Sequence, residues 1–69
     1  MPADPVAVDA AARDATALVA DVEFAARNAV ACIDANEFGL ALDLMSTASR
    51  RIDDVLPILR TLYGCEARR

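Results

Sequence analysis

The stretch Ala31–Met45, A-C-I-D-A-N-E-F-G-L-A-L-D-L-M, contains the one strong interruption between two long helical patterns. Asn36 tolerates the left-handed backbone conformation that ends a helix, and its side-chain oxygen can also cap the helix that follows. Glu37 places a negative charge where that second helix begins, which the helix dipole favours. The stretch therefore predicts a tight turn at residue 36 between two helices that form a hairpin.

The run before the turn predicts one helix over about residues 5–35. Asp4 followed by Pro5 is a good helix start, because the carboxylate can cap the first turn and proline suits the first helical position. Apolar residues then step by alternating three and four, which places them on one helix face. These seam residues are Val8, Ala11, Ala15, Leu18, Val22, Ala25, Ala29 and Cys32, flanked by Ala12, Val19, Ala26 and Ile33.

The run after the turn predicts a second helix over about residues 37–63. Its seam is predicted to consist of Phe38, Ala41, Met45, Ala48, Ile52, Val55, Leu59 and Leu62. Pro57 has no backbone N–H to donate, so a kink or a break into a short final helix is expected there. Gly64 is well placed to cap the C-terminal end.

Folding the two helices about the turn brings residue i opposite roughly residue 73 − i, which pairs mostly small residues with larger ones. Residues 1–69 thus form a single all-α domain, an antiparallel helical hairpin. A hairpin buries only one side of each apolar stripe. Six side chains are left to be covered and are predicted to bind a partner: Val19, Val30, Ile33, Leu42, Leu56 and Tyr63. An uncovered patch of this extent is unusual for a monomer, so we expect a homodimeric four-helix bundle.

Phe24 is the unusual residue of the first helix, because it lies about 160° around from the seam residue Val22. It sits in a strip of alanines, namely Ala10, Ala17, Ala20 and Ala31. An exposed phenylalanine in such a strip could anchor another protein. The alternative that we favour is a second core face, covered by the dimer partner or by the N-terminal segment.

The composition limits the classes of function. The 69 residues are 57% hydrophobic but only 4% aromatic, and the formal net charge is −4. Such a small chain has little bulk for a core, which makes a partner chain an economical source of stability. The negative charge argues against general nucleic-acid binding and for a basic partner. No apolar run approaches the ~20 residues that cross a bilayer, and the N-terminus lacks signal-peptide features, so we expect a cytoplasmic protein.

The sequence offers no chemistry for catalysis. It has no histidine, no nucleophile set in a motif and no glycine-rich phosphate loop, so we expect no enzyme activity, no cofactor and no metal. Its two cysteines, Cys32 and Cys65, are expected at opposite ends of the hairpin, too far apart for a disulfide within one chain. A bridge between the chains of a dimer is left open.

The turn residues Asn36–Asp43, N-E-F-G-L-A-L-D, resemble a pattern found near the helix turn of small all-α bacterial immunity proteins of the MafI-like kind. The pattern is N-E-[FY]-x-L-A-[LF]-[DE]. This chain departs from the family at Gly39, a helix-breaking residue, and it lacks the later tryptophan-bearing segment of the longer relatives. The resemblance covers only Ile33 to about Met45. It implies a cytoplasmic protein that binds and neutralises a cognate toxin, often a nuclease, and it does not say which residues contact the toxin.

The sequence therefore favours a non-enzymatic helical protein that interacts with or regulates another macromolecule and acts as a homodimer. The first alternative is an immunity protein that inhibits a bacterial toxin or another basic protein. The second alternative is an RNA-binding hairpin dimer, which a local arginine face in the second helix would permit: Arg50, Arg51, Arg60, Arg68 and Arg69.

Overall fold

A computed structural model describes residues 4–67 as two long helices joined by a short turn. Helix α1 comprises Pro5–Asp34 and helix α2 comprises Phe38–Ala67. The two helices pack side by side as an antiparallel hairpin measuring 52 × 15 × 14 Å. The prediction of an all-α helical hairpin is confirmed.

Helix α1 begins as its sequence predicts. Asp4 has an extended backbone, and its Oδ1 accepts a hydrogen bond of 3.0 Å from the backbone N–H of Val6. Pro5 lies at the first helical position, where a backbone N–H would have no acceptor within the helix, so its missing N–H costs no hydrogen bond. Cap and proline together fix the start of the helix at its first turn.

The turn ends α1 through the left-handed residue that the sequence predicts. Asn36 has φ 61°, and it alone among the non-glycine residues described has a positive φ. Its N–H donates to the carbonyl of Ile33 at 3.0 Å, and the N–H of Glu37 donates to the carbonyl of Cys32 at 2.7 Å. These two bonds form a Schellman motif, which satisfies carbonyls that the last turn of a helix otherwise leaves open.

The second role predicted for Asn36 is wrong. Its side chain makes no hydrogen bond within residues 4–67, so it does not cap α2. Helix α2 begins at Phe38, and the carbonyl of the preceding Glu37 accepts from the N–H of Ala41 at 3.1 Å. The glutamate therefore occupies the cap position and places its charge beside the first turn.

The end of α2 differs from the prediction. The helix is continuous from Phe38 to Ala67, so the expected break at Pro57 does not occur, and a kink there stays a prediction. Gly64 lies inside the helix and does not cap it. The proline leaves the carbonyl of Asp53 without its helical N–H donor. Because Asp53 and Pro57 are both exposed, water can donate a hydrogen bond to that carbonyl instead.

The core between the helices is thin. Its fully buried residues are Ala15, Ala25, Ala29, Ala41, Ala48 and Val55. No buried polar or charged residue is present among residues 4–67. Five of these six residues are alanine, so the helices approach closely but remove little apolar surface from water.

The seam of α2 is only half as predicted. Ala41, Ala48, Val55 and Leu62 face α1 as expected, whereas Phe38, Met45, Ile52 and Leu59 are exposed by 60%, 47%, 40% and 42%. The half-buried Leu44 and Ile58, three residues after Ala41 and Val55, complete the seam instead. The helix is therefore rotated slightly about its axis relative to the prediction, which moves four large side chains towards solvent.

The register between the helices follows the predicted relation. Arg51 lies near Asp21, and Leu59 lines a groove together with Ala15. At the turn end, Cys32 and Leu40 line one groove. In each of these pairs the residue numbers add to between 72 and 74, so residue i lies roughly level with residue 73 − i.

Candidate protein-interaction surface

One long side of the hairpin, which we call the apolar face, carries most of the large exposed hydrophobic side chains. On α1 it comprises Ala12, Thr16, Val19, Glu23, Ala26, Val30 and Ile33. On α2 it comprises Phe38, Leu42, Met45, Ser49, Ile52, Leu56, Leu59 and Tyr63. Within each helix these residues recur at spacings of three, four and seven, so each set forms one continuous strip.

The two strips lie on the same side of the molecule. A shallow groove brings Leu59 of α2 together with Val19 and Thr16 of α1. Because residues seven apart share a helix face, the positions that continue these rows lie on the same side. The two strips therefore merge into one surface that runs along the hairpin.

The other long side, which we call the opposite face, is mixed in character. A groove there is lined by Phe24, Asn28, Cys32, Leu40, Asp43, Leu44 and Thr47. A second groove further along the same side is lined by Asp14, Ala17, Leu18, Asp54 and Ile58. Phe24 and Leu40 are exposed by 70% and 55%, and the same groove contains the polar residues Asn28, Asp43 and Thr47. The opposite face thus offers a local apolar spot rather than a continuous strip.

The polar groups of the opposite face are largely satisfied within the chain. The guanidinium of Arg51 lies 3.8 Å from a carboxylate oxygen of Asp21 and 4.0 Å from one of Asp54, so it joins the two helices. The side-chain amide of Asn28 donates to the carbonyl of Phe24 at 2.8 Å. The hydroxyl of Thr47 donates to the carbonyl of Asp43 at 3.1 Å. These groups need no partner to complete their hydrogen bonds.

Six of the seven predicted partner-binding residues lie together on the apolar face: Val19, Val30, Ile33, Leu42, Leu56 and Tyr63. Each of the six is exposed by between 39% and 71%. Phe24 is separate from them, because it lies in the groove of the opposite face. Phe24 is exposed by 70%, and its covering by a dimer partner or by the N-terminal segment stays a prediction.

Four further members of the apolar face were assigned to the seam by sequence: Phe38, Met45, Ile52 and Leu59. The alternative seam through Leu44 and Ile58 also passes through Arg51, and a charged residue in a seam argues against it. The structure resolves this conflict through the length of the arginine. Its aliphatic stem can lie beside the seam while the guanidinium reaches Asp21 at the surface.

The exposed area is large for the size of the chain. The chain has a mass of 7.3 kDa and a solvent-accessible surface area of 5361 Å². A compact folded monomer of that mass has an accessible surface area of about 4,200 Å². Each helix has only one neighbour, which accounts for the excess. The whole side of the hairpin that carries the apolar face measures 52 × 15 Å between α-carbons, an outline on the order of the ~800 Å² that each partner buries in a standard protein–protein interface.

The remaining features offer no alternative site. Cys32 and Cys65 are both free and half-buried, at opposite ends of the hairpin. Residues 4–67 contain no cluster of three or more potential metal ligands. Within the same residues, neither helix has an apolar stretch long enough to cross a membrane.

Comparison with protein-family models, with curated proteins and with solved structures finds no match to this chain. The functional conclusion therefore depends on the surface itself.

Proposed function

We propose that the protein is a non-enzymatic interaction module that works as a homodimer, in which the apolar faces of two hairpins pack together into a four-helix bundle. The observation that carries the proposal is the continuity of the apolar face. Ten large hydrophobic side chains, each exposed by 39% or more, form two adjacent strips over the length of the hairpin.

The thin core supports the same proposal. Five alanines and one valine bury too little apolar surface to stabilise a small domain well on their own. Packing a second copy against the apolar face would bury Ile52, Leu59 and Met45 and turn a two-helix contact into a bundle with a substantial core. Folding stability and dimerisation would then be linked, so stability should rise with protein concentration.

Sedimentation equilibrium of the native chain at micromolar concentration tests the proposal. The expected mass is about twice the 7.3 kDa of one chain. The thermal midpoint should also rise as the concentration is raised from about 1 to 100 μM, by mass action. A stably folded species with the mass of one chain across this range would overturn the proposal.

A second candidate function, inhibition of a basic toxin, is favoured by one observation on the opposite face. Phe24 and Leu40 flank a groove with Asp43 at its edge, and this groove stays open when the apolar face is covered. An aromatic anchor beside acidic groups suits a basic protein partner. If a neighbouring gene encodes a toxin, its inhibition by this protein should be lost in a Phe24→Ala variant. Unchanged inhibition would remove Phe24 from this role.

The RNA-binding alternative has weaker support, because Arg51 lies between two carboxylates rather than free for a phosphate. The cytoplasm is the location that we propose for the dimer. Both cysteines are free thiols, which suits a reducing compartment.

A further inference from the structure

We propose that the two hairpins of the dimer pack with their turns at the same end, so that α1 of each chain lies against α2 of its partner. This inference rests on the proposed function, since it specifies how the second copy sits on the apolar face. The other symmetric arrangement places the turns at opposite ends, with α1 against α1 and α2 against α2. Side-chain size and polarity distinguish the two arrangements.

The two strips of the apolar face differ strongly in bulk. Among the hydrophobic residues of the α1 strip, the largest side chain is that of Ile33. Ala12 and Ala26 project only a methyl group from the helix surface. The α2 strip carries Phe38 and Tyr63 at its two ends. Between them lie Leu42, Met45, Ile52, Leu56 and Leu59. Except at the level of Glu23 and Ser49, the α1 strip therefore carries the smaller side chains and is low, whereas the α2 strip carries the larger ones and is high.

Turns at the same end place a low strip against a high strip on both halves of the interface. The spacing between the hairpins is then equal on both sides, and the side chains can interdigitate at the density of a protein interior. Turns at opposite ends place high against high and low against low. That arrangement forces the α2 helices apart and leaves a gap between the α1 helices, which loses packing contacts.

The polar residues of the apolar face favour the same arrangement. Glu23 and Ser49 lie at the same level of the hairpin, because their numbers add to 72. The Glu23 carboxylate pairs with Arg27 of its own helix and keeps room for a further donor. With the turns at one end, it lies at the level of the partner's Ser49, whose hydroxyl makes no hydrogen bond within residues 4–67. Each hydroxyl can then donate to a carboxylate across the interface, twice by symmetry.

The arrangement with the turns at opposite ends places Glu23 beside a residue whose hydroxyl is already used as a hydrogen-bond donor. If the two hairpins overlap over their full length, Glu23 lies at the level of the partner's Thr16 in this arrangement. The Thr16 hydroxyl already donates to the carbonyl of Ala12 at 2.9 Å, so its proton is engaged. Ser49 would meanwhile lie at the level of the partner's Leu56, which offers no hydrogen bond.

Two engineered cysteine pairs test the inference in the full-length chain with Cys32→Ala and Cys65→Ala. The pair Val30→Cys and Leu42→Cys lies at one level on different helices, so it can bridge two chains only when the turns share an end. The pair Leu42→Cys and Tyr63→Cys meets across two α2 helices only when the turns are at opposite ends. All three positions are exposed by 59% or more.

On mild oxidation, the first pair should give a covalent dimer on a non-reducing gel, at a yield at least tenfold above that of the second pair. The reverse result would overturn the inference and leave the proposed dimer intact. The cysteine-free background must first show the native helical content and the mass of two chains. A background of native helicity but single-chain mass would contradict the proposed function as well.

If both pairs or neither pair cross-links, a distance measurement decides between the arrangements. A spin label at Asp34→Cys, at the turn end of α1, should show an interchain distance on the order of 20–30 Å when the turns share an end. A distance approaching the 52 Å length of the hairpin would overturn the inference. A label at Ala20→Cys, near the middle of α1, should give a short distance in either arrangement and is the matched control.

Discussion

The apolar face and the opposite face flank the same alanine-rich seam, but their exposed side chains differ in the interactions that they make within the chain. The opposite face joins the helices through Arg51 and Asp21 and satisfies Asn28 and Thr47 within their own helix. On the apolar face Glu23 pairs with Arg27 and the Thr16 hydroxyl donates to the carbonyl of Ala12. No ion pair of residues 4–67 joins the two helices there, and the hydrophobic side chains from Val19 to Tyr63 face outward. A flank that completes its own interactions can remain in water, whereas a continuous apolar flank favours a partner.

The largest expected effect comes from placing a charge on the apolar face. Ile52→Asp should raise the dissociation constant of the dimer at least 100-fold, about 2.7 kcal/mol, because the interface would bury an unpaired carboxylate. Sedimentation equilibrium measures this change. Thr61→Asp places the same charge on an exposed position of the opposite face and should leave the mass of the dimer unchanged. Equal effects of the two variants would contradict the distinction between the faces.

Pro57 allows stability to be changed on the opposite face without changing the interface. It lies two heptads after Asp43, a residue of the opposite-face groove, and it is an exposed residue inside the continuous helix α2. Pro57→Ala should restore a backbone donor and raise the free energy of unfolding by about 2 kcal/mol. Chemical denaturation at fixed protein concentration measures the gain in the free energy of unfolding. The protein concentration at which the dimer dissociates should change only to the extent that folding and dimerisation are linked. A loss of stability would show that the proline supports the fold.

The two phenylalanines form a matched pair, because Phe38 and Phe24 are exposed to similar extents on different faces. Phe38→Ala should weaken dimerisation by roughly tenfold to 100-fold, in the range of a truncated interface residue. Phe24→Ala should change it less than threefold, since the proposed dimer leaves that side uncovered. Circular dichroism should show full helicity for both variants at high concentration. If Phe24→Ala has the larger effect on association, the interface lies on the other side.

The smallest effect is expected at the ion pair between the helices. Arg51 and Asp21 are 46% and 63% exposed, so their coupling free energy should be below about 1 kcal/mol. A double-mutant cycle with Arg51→Ala and Asp21→Ala measures that coupling, and 1 M salt should largely abolish it. Dimerisation through the apolar face should persist at the same salt concentration. A dimer that dissociates in salt would indicate a charged interface instead.

The turn and the helix starts could be predicted from sequence because their signals are local. Asp4 and Pro5 act within one turn of helix, and Asn36 acts through its own backbone preference. The positions of the helices along the chain, and the level at which they meet, follow from these signals. Local chemistry was sufficient for the hairpin.

The rotation of α2 could not be predicted from the same information. Two seams fit the three-and-four spacing, one through Met45 and Ile52 and the other through Leu44 and Arg51, and the choice depends on contacts across the helices. The seam through Leu44 tolerates Arg51 because its guanidinium reaches the surface beside Asp21. The continuity of α2 through Pro57 likewise depends on solvent access at that position, which only the packed hairpin reveals.

The brevity of the turn at Asn36 has a consequence for how quickly the chain acquires its structure. Contacts near the turn close very short loops, and each further pair can form by zipping outward from it, so the first phase of folding should be fast and independent of protein concentration. Joining two hairpins is a bimolecular event and should appear as a later phase that accelerates with concentration. Stopped-flow mixing over a range of concentrations would separate these two steps in time.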